Sequence, residues 1–596
     1  MFKKVLAVFL SSILIIGLTG CQTKPATPTV NTKGNVEEQA RFDEFTKNEI
    51  KMYLEGDYLS IHQAVSKPEA YGVDMDNVAI QMTEPWSEEQ FAKSVEEFEV
   101  SKKEFETFDR SVLTEKQQNT YDIIKDQIEL NLISNRDDFE YVGNVFGLFS
   151  GIQISVPQIL SDFVFYDEGD VEDLIAIMHS VKPMFESYTE YAKKQKEAGY
   201  FMADYNVDEI VKYADNLVNE GYGDEMMAVI EENINSYDAI DDAAKATYIE
   251  QARTAYSESI APAYTKLAEE LTALKDPENN QYGLSHYDNG KEIYELYYRM
   301  YTGSTLTIEE AEKMLEERMQ SSVQEMQVAL MKDPAALELI QNNDLKAGYD
   351  SYESMIEALI SWSKDHYTEI DIPEYEAVPA SKLVSDGVGA YYITPFIDKE
   401  GKNFIRVNTN NATLIDDLQT FYYIAHEGVP GHMYYYNYVV QNDIDPYNLL
   451  LATYLGFSEG FANYGASYAL EAANTNDVLK EVIRANFDFS WALSAMIDIG
   501  IHYHGWTLEE FNSYLESIGY GGIDMSSTYY MTQSNPGVNL SYGVGYFEIL
   551  DLREKAETEL GDKFDEKAFN DTLLKSGNAP FSIVTKNVDE YIANNK

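Results

Sequence analysis

Cysteine is almost absent from this chain of 596 residues, in which Cys21 is the only thiol. A single thiol cannot form an intrachain disulfide, so the sequence excludes a disulfide-stabilised framework. Basic residues are also scarce, since 44 Lys and Arg stand against 102 Asp and Glu, giving a formal net charge of −58. A surface with this excess of negative charge repels nucleic acid and anionic lipid surfaces, and neither is an expected partner.

Proline is infrequent, with 16 residues, while hydrophobic residues make up 44% of the chain. This composition excludes general disorder. Helix signals dominate the first 380 residues, because capping-box patterns begin at Ser87 and Thr307 and helical periodicity recurs in stretches such as 171–198. We therefore predict one mainly α-helical domain over 41–596, large enough to form two lobes around a cleft.

The N-terminal segment has the features of an export signal. Two lysines precede an apolar run over 5–18, which is too short for an ordinary membrane span. The run ends in Leu18-Thr19-Gly20-Cys21, which resembles the processing box of bacterial lipoproteins. We predict that 1–20 is a signal peptide removed before Cys21, whose sulfur then carries a lipid. The alternative is an uncleaved anchor or an accidental cysteine.

Residues 21–40 are polar, contain Pro, Thr and Gly, and show no apolar periodicity. This pattern predicts a flexible tether between the lipidated Cys21 and the folded domain. The predicted location is the cell membrane, where the lipid anchors the protein on the extracytoplasmic face. Under either interpretation of Cys21, the domain lies outside the cytoplasmic membrane.

Two of the eight histidines lie in one stretch, Ala425-His426-Glu427-Gly428-Val429-Pro430-Gly431-His432. The preceding segment, 414–425, has apolar residues at helical spacing, so His426 is expected on a buried helix. A helical His-Glu pair followed by a second His resembles a zinc metallopeptidase site. In such sites the imidazoles hold the metal and the glutamate acts on water.

The spacing of six residues between these histidines differs from the usual four. On one unbroken helix six residues correspond to about 240°, which would point the two rings to different faces. Pro430 has no N–H to donate, and its ring would collide with the carbonyl of His426 in a continuous helix. We therefore predict a break over Gly428–Gly431 that brings His432 back towards His426. The alternative is an ordinary helix end with two incidental histidines.

A third metal ligand is expected downstream, where Ser458-Glu459-Gly460-Phe461-Ala462-Asn463-Tyr464 opens another apolar helical stretch. In zinc peptidases whose third ligand is glutamate, that residue lies on the helix after the His-Glu helix, as Glu459 does. Two histidines and one carboxylate leave a fourth coordination position for water, which is typical of catalytic zinc sites. The alternative is that Glu459 stabilises a helix start through the helix dipole.

Further motifs follow in the order known from one family. They are Asp498-x-Gly500-x-His502-x-x-Gly505-Trp506, then Pro536-Gly537-x-x-Leu540-Ser541-Tyr542-x-x-Gly545, then Leu552-Arg553. Together with the His-Glu and Glu-Gly motifs they resemble the bacterial family called domain of unknown function 885, from about Phe42 to the C-terminus. That family is similar to helical zincins of the thermostable-carboxypeptidase and angiotensin-converting-enzyme type. The resemblance implies a mainly α, two-lobed fold with a deep active-site cleft and metal-dependent peptide hydrolysis.

One β pattern precedes the predicted metal helix. Residues 389–394, which include Tyr391 and Tyr392, and residues 404–408 flank a polar turn. In zincins an edge strand near the metal holds the substrate backbone by strand addition. This hairpin and its two tyrosines are therefore the candidate substrate-binding element. The alternative is a small structural hairpin.

The predicted roles follow from these motifs. The two histidines and Glu459 would hold Zn²⁺, and Glu427 would take the proton of the attacking water and pass it to the leaving amine. Tyr542 is the first candidate for a second hydrogen-bond donor to the oxyanion. His502 is the second candidate, oriented by Asp498, although a core histidine explains its pattern equally well.

Arg553 is a candidate ligand for a substrate carboxylate, with a helix-surface salt bridge as the alternative explanation. A different class of function is a non-catalytic lipoprotein that captures peptides or ions. It accounts for the anchor and the acidity equally well, but it has no use for a general base beside a metal. A structural surface protein would be expected to contain repeats, which the sequence lacks. We therefore predict a zinc metallopeptidase that hydrolyses peptides.

Overall fold

A computed structural model describes residues 32–143, 145–149, 151–380, 388–399, 401–409, 416–442, 444–452 and 454–596. The predicted signal peptide over 1–20 and the predicted lipid-bearing Cys21 lie outside these residues. Within the described ranges, no helix combines the length and the apolar character needed to cross a bilayer.

The first half of the chain is built from helices. They are α1 (Thr32–Glu55), α2 (Tyr58–Ala64), α3 (Glu88–Phe105), α4 (Glu115–Ser134), α5 (Ile152–Ser161), α6 (Gly169–Glu197), α7 (Asp204–Asn219), α8 (Tyr222–Ser236), α9 (Asp242–Ala255), α10 (Ala261–Leu274), α11 (Gly290–Thr302), α12 (Ile308–Lys332), α13 (Pro334–Gln341) and α14 (Tyr352–His366). Both predicted helix starts are confirmed: the Ser87 side chain accepts the N–H of Gln90, and Thr307 and Glu310 form a reciprocal capping box.

Along the chain, a three-stranded sheet follows these helices and precedes the helices of the second half. Its strands are β1 (Tyr375–Pro379), β2 (Ala390–Ile393) and β3 (Asn403–Val407), in the order β1-β3-β2. β2 and β3 are antiparallel, which confirms the predicted hairpin, whereas β1 runs parallel to β3. β1 escaped prediction because it is short, ends in proline and has only one buried side chain, that of Ala377.

Helices resume after the sheet. They are α15 (Leu418–Glu427), α16 (His432–Gln441), α17 (Pro446–Leu450), α18 (Leu455–Ala469), α19 (Asp477–Ile499), α20 (Leu508–Ser517), α21 (Ser526–Ser534), α22 (Val538–Leu560), α23 (Glu566–Ser576) and α24 (Phe581–Asn595). The fold is therefore mainly helical with one small sheet, as the helix signals predicted.

Helix α1 begins inside the segment predicted to be a tether. The side chain of Gln39 donates to the carbonyl of Val112 at 2.7 Å, and Glu38 accepts the backbone N–H of Asp109 at 3.2 Å. Phe42, one turn further on, is fully buried. Glu38 and Gln39 thus contact the 107–112 segment, and because 32–40 are helical, the prediction of a flexible tether is wrong for these residues.

Tyrosine dominates the largest buried side chains, and several of its hydroxyls meet buried carboxylates. Tyr294 donates to Asp498 at 2.7 Å, and Tyr546 donates to Asp488 at 2.7 Å. Burial raises the pKa of Asp498 to about 7 and that of Asp488 to about 6. These pairs let a strongly acidic chain bury carboxyl groups with their hydrogen bonds satisfied.

Helices α18 and α22 approach each other until their backbones touch. A Cβ added to Gly545 would lie 1.8 Å from the carbonyl oxygen of Gly456, and one added to Gly460 would lie 2.5 Å from the carbonyl carbon of Gly545. Only glycine permits such an approach. Glu459 lies beside Gly460 and Tyr542 lies one turn before Gly545, so this contact sets the distance between two predicted site residues.

The substitution Gly545→Ala is expected to lower the free energy of unfolding by about 1–3 kcal/mol, because the new methyl must displace backbone atoms. Denaturant unfolding followed by circular dichroism measures the loss. Thr558→Ala, at an exposed position of the same helix, is the control and should change stability by less than about 0.5 kcal/mol. Equal stabilities of the two variants would contradict the close backbone contact.

Candidate metal centre

The helix carrying the first histidine ends where the sequence predicts. α15 stops at Glu427 and α16 starts at His432, while Gly428 (φ −97°, ψ −114°) and Gly431 (φ −76°, ψ −134°) leave the helical conformation. A Cβ on Gly431 would lie 1.8 Å from the carbonyl oxygen of His426. The ring centres of the two histidines are 4.8 Å apart. The predicted break that returns the second histidine to the first is confirmed.

The start of α15 differs slightly from the prediction. The helix begins at Leu418, where Asp417 accepts the N–H of Gln419 at 2.8 Å as an N-cap. The predicted residues 414 and 415 lie outside the described part of the chain. Leu418, Phe421 and Ala425 are fully buried, so the predicted apolar face of this helix is confirmed.

The carboxylate of Glu459 lies close to both histidines. Its Oε2 atom lies 3.2 Å from Nε2 of His426 and 3.4 Å from Nε2 of His432. The three donor atoms lie within 4.8 Å of one another, and this is the one such cluster of three His, Cys, Asp or Glu side chains in the described ranges. Since α18 begins at Leu455, Glu459 lies beyond the first helical turn, and a helix-start role does not account for its position.

The donor set and its spacing fit zinc. Two imidazole nitrogens and one carboxylate oxygen are common ligands of catalytic zinc, with bonds of about 2.0–2.2 Å. In a tetrahedron, bonds of about 2.1 Å place neighbouring donors about 3.4 Å apart. The 3.2 and 3.4 Å separations around Glu459 match that value. With all three donors within 4.8 Å of one another, these side chains could hold zinc after a movement that brings the two histidines to the same spacing, leaving a fourth position for water.

Opposite charges shift the pKa values of Glu459 and His432. Burial would raise the pKa of Glu459, but His432 and His426 outweigh it and lower that pKa to about 2. Burial would lower the pKa of His432, but Glu459 raises it to about 9. Without metal, His432 and Glu459 therefore form an ion pair at neutral pH. A metal cation must displace the proton of His432, because only the neutral imidazole binds a metal.

Glu427 is beside the cluster without being one of its three converging donors. Its Oε1 atom lies 3.8 Å from Nε2 of His426. Burial raises the pKa of Glu427, against the lowering effects of the two histidines and of the nearby backbone N–H of Tyr392. A buried carboxylate next to the donors is in position to exchange protons with a water molecule there.

Comparison with known sequences identifies the family, because a family profile matches residues 69–588. The chain belongs to DUF885. The family is described as bacterial protein of unknown function, and the match confirms the resemblance carried by the sequence motifs. No functionally curated protein matches this sequence.

Two solved structures resemble the fold of this DUF885 protein. The first is a "putative lipoprotein" from Colwellia psychrerythraea, with a TM-score of 0.77 and 19% identity, covering 94% of this chain and 99% of that one. The second is a "putative lipoprotein of unknown function" from Shewanella oneidensis, with a TM-score of 0.59 and 15% identity, covering 93% and 99%. At these identities the likeness establishes the fold alone.

The three donors and Glu427 line a cavity of about 770 Å³. Residues from the first half of this DUF885 protein, including Gln63 and Gln158, line it together with residues from the second half, including Trp491. Many of the lining side chains are tyrosines: Tyr53, Tyr391, Tyr392, Tyr422, Tyr423, Tyr435, Tyr436 and Tyr542. The size lies within the range of ligand-binding sites, about 300–1,000 Å³.

Tyr542 lies on the cavity wall next to the candidate metal ligands. Its ring centre is 6.4 Å from that of His426, with 25° between the ring planes. The negative charge of Glu459, together with burial, raises the pKa of Tyr542 well above its ordinary value. The hydroxyl therefore keeps its proton and is available as a hydrogen-bond donor.

Strand β2 is an edge of the described sheet and lines the cavity. The carbonyl of Gly389 accepts the N–H of Asn408 at 2.9 Å, so residues 389, 391 and 393 face β3 in the alternating pattern of an antiparallel pair. The backbone groups of Ala390 and Tyr392 then point to the unpaired edge. This direction agrees with the influence of the Tyr392 N–H on the pKa of Glu427.

The side chains of the two predicted substrate-binding tyrosines are held by partners. Tyr391 donates to Asp162 at 2.7 Å, and Tyr392 donates to Asn403. Both rings nevertheless form part of the cavity wall. The structure thus brings Tyr391 and Tyr392 to the predicted site, with their hydroxyls engaged and their ring surfaces lining the space.

His502 and Asp498 lie in the core, away from the cavity lining. Nδ1 of His502 accepts the N–H of Leu284 at 3.3 Å, and Nε2 is 3.0 Å from the carbonyl of Thr532. Burial lowers the pKa of His502 to about 4. Asp498 accepts from Tyr294 instead of orienting the imidazole. The structure supports the alternative of a core histidine and corrects the predicted catalytic role.

Arg553 is also placed outside the cavity lining. Its Nε donates to Glu557 at 2.8 Å and another guanidinium nitrogen donates to Glu566 at 2.7 Å. A third donates to the hydroxyl of Tyr464 at 2.6 Å. With these partners the guanidinium is engaged, so its contacts correct the predicted substrate role in favour of the salt-bridge alternative.

No sequence motif pointed to the first half of the chain as part of the site. Tyr53, Gln63, Ser155 and Gln158 line the cavity from α1, α2 and α5. They are polar or aromatic positions on ordinary amphipathic helices, so their spacing carries no signal of function. Trp491 was missed for a different reason. A single aromatic residue among the helically spaced apolar residues of α19 is typical of a core position.

The metal content of the purified protein tests the ligand set. Wild type is expected to hold close to one zinc per chain, and Glu459→Gln to lose most of it, because a neutral amide is a much weaker ligand than a carboxylate. Glu471→Gln, an exposed carboxylate at the end of the same helical region, should keep its zinc. A wild-type protein that neither contains zinc nor takes it up would contradict the site.

Zinc binding to the metal-free protein is expected to release about one proton near pH 7.5, because His432 is protonated there. Calorimetric titration in two buffers of different ionisation enthalpy measures this number. The same pKa predicts that the ion pair stabilises the metal-free fold fully below the ordinary histidine pKa and that this contribution is lost as pH rises through about 9. His432→Gln should lack both effects. Zinc binding without proton release would contradict the predicted ion pair.

Proposed function

We propose that this DUF885 protein is a zinc-dependent peptidase that hydrolyses peptide bonds outside the cell membrane. The observation that carries the proposal is the convergence of His426, His432 and Glu459 in a cavity that also contains Glu427. Zinc peptidases combine two histidines, a further ligand and an adjacent glutamate in this way. The proposal includes a zincin-like arrangement in which the helices of the two halves are lobes and the cavity is the active-site cleft.

The residues of the cavity have separate roles in the proposed hydrolysis. When held by its three ligands, zinc would polarise a carbonyl oxygen and lower the pKa of water. Glu427 accepts a proton from the attacking water, whose oxygen bonds to the carbonyl carbon, and delivers it to the nitrogen as the C–N bond breaks. Burial raises the pKa of Glu427, which makes its carboxylate a stronger base than that of an exposed glutamate.

Tyr542 is the proposed second donor to the carbonyl oxygen, which gains negative charge as the water attacks. The raised pKa of its hydroxyl supports this role, because the group keeps its proton at neutral and mildly alkaline pH. A donor held by the protein stabilises such charge without reorganisation during the reaction. The contact between α18 and α22 holds Tyr542 near Glu459, which supports a fixed position for this donor.

The unpaired edge of β2 is the proposed site for the substrate backbone. Ala390 and Tyr392 have backbone groups directed to this edge, and an extended peptide pairs with such groups as an added strand. Because Tyr392 and Glu427 line the same cavity and the N–H of Tyr392 is near that carboxylate, a peptide at this edge would pass beside the proposed general base.

The proposed location is the outer face of the cell membrane, with a lipid attached to Cys21. Two observations support it: Leu18-Thr19-Gly20-Cys21 resembles a lipoprotein processing box, and both similar solved structures are described as putative lipoproteins. A tethered enzyme of this kind acts on peptides that reach the cell surface.

The variant Glu427→Gln tests the proposed chemistry. It is expected to lower kcat on peptides by at least about 100-fold, because the amide cannot take a proton from water. It should keep its zinc, since Glu427 is not one of the three converging donors. Internally quenched peptide libraries measure the rate, mass spectrometry of the products locates the cleaved bond, and Glu471→Gln is the matched control.

Three outcomes distinguish the functions. Cleavage by wild type and its loss in Glu427→Gln would support the peptidase. Zinc-loaded wild type that binds peptides and cleaves none would support the alternative, a non-catalytic peptide-binding lipoprotein. Unchanged turnover in Glu427→Gln would refute the role of general base.

A further inference from the structure

The cavity wall beside the metal ligands is aromatic. The ring of Tyr542 lies 6.4 Å from His426 and close to parallel with it. Trp491 stacks on Tyr542, with ring centres 5.2 Å apart and 13° between the planes. Both side chains are partly exposed and line the cavity. The wall formed by Trp491 and Tyr542 therefore extends from a metal ligand along the side of the cavity.

Contacts behind this aromatic wall hold it in one orientation. The indole N–H of Trp491 donates to the hydroxyl of Tyr422 at 3.2 Å. Tyr422 is buried and stacks on Phe487, with centres 3.7 Å apart and 12° between the planes. The side chain of Asn463 donates to the backbone carbonyl of Tyr542 at 3.1 Å. The indole of Trp491 cannot turn without breaking its hydrogen bond to Tyr422 and its stacking on Tyr542, and Asn463 fixes the backbone from which Tyr542 projects, so the wall is already formed before a ligand binds.

We propose that Trp491 and Tyr542 form a side-chain subsite that selects peptides with an aromatic residue next to the scissile bond. The inference rests on the proposed peptidase function of the same cavity. A substrate carbonyl that reaches the metal ligands has its flanking side chains within a few ångströms of His426, where the aromatic wall begins. Those side chains therefore meet Tyr542 first and Trp491 next.

The chemistry of the wall favours an aromatic ring over other side chains. Met531 and Val538 also line the cavity, so a side chain entering from the metal side exchanges water for apolar surface. An aromatic ring gains burial there and, in addition, an offset-stacked contact with the indole. A lysine side chain would gain a cation–π contact but would lose hydration of its charge. Alanine is too short to cover the wall.

Binding to a non-cleaving protein tests the subsite independently of turnover. The full-length, zinc-loaded Glu427→Gln protein would be titrated by calorimetry with blocked pentapeptides that differ only at the central residue, which is Phe, Ala or Lys. We expect the Phe peptide to bind about tenfold more tightly than the Ala peptide. Adding Trp491→Leu, which keeps apolar volume but removes the indole, should reduce that ratio below about threefold.

Trp491→Phe in the same background is the matched control, because it keeps a ring that can stack on Tyr542 while losing the hydrogen bond to Tyr422. It should retain most of the preference for Phe. An unchanged preference in Trp491→Leu, tighter binding of the Lys peptide, or no binding of the Phe peptide would overturn the subsite. Circular dichroism of each variant identifies a loss of preference caused by misfolding.

Different results would refute the proposed peptidase function and the proposed aromatic subsite. Preferential binding of the Phe peptide by a protein whose wild type cleaves nothing would leave the subsite standing and refute the peptidase. Cleavage by wild type with no preference between Phe and Ala peptides would leave the peptidase standing and refute the subsite.

Discussion

The largely buried carboxylate of Glu459 contacts two imidazoles at once, and the helices around it are arranged to allow this. A carboxylate buried without partners would cost several kcal/mol of stability. One partner comes from the end of α15 and the other from the start of α16, because the chain turns back over Gly428–Gly431. The carboxylate itself comes from α18, whose backbone contact with α22 also brings Tyr542 to the site.

The same contacts prepare the site before a metal is present. In the metal-free protein the ion pair between Glu459 and His432 offsets the cost of burying both groups. A cation bound at this candidate site would replace the proton of His432 and take over that role without a rearrangement of the fold. The aromatic wall is held by its own hydrogen bond and stacking contacts. The candidate metal ligands and the aromatic wall are thus both pre-organised, by different interactions.

The sequence predicted the parts of the site that are encoded locally. His426, His432 and the break between them follow from the Pro and Gly positions, and the position of Glu459 follows from motif order. His502 and Arg553 carry residue types common in active sites, but their burial and ion pairs depend on neighbours distant in sequence, such as Leu284. Strand β1 escaped prediction because its pairing with β3, and not its composition, makes it a strand. For His502, Arg553 and strand β1, the outcome depended on contacts with residues distant in sequence.

The cavity is lined by residues from both halves of the sequence, and this has a consequence for how substitutions affect it. The candidate metal ligands and the proposed general base lie within 426–459, whereas Tyr53, Gln63 and Gln158 line the same cavity from the first half of the chain. Substitutions in the first half can therefore alter the shape of the cavity without disturbing the ligands. A change in what the cavity binds would therefore require no change in the proposed reactive centre.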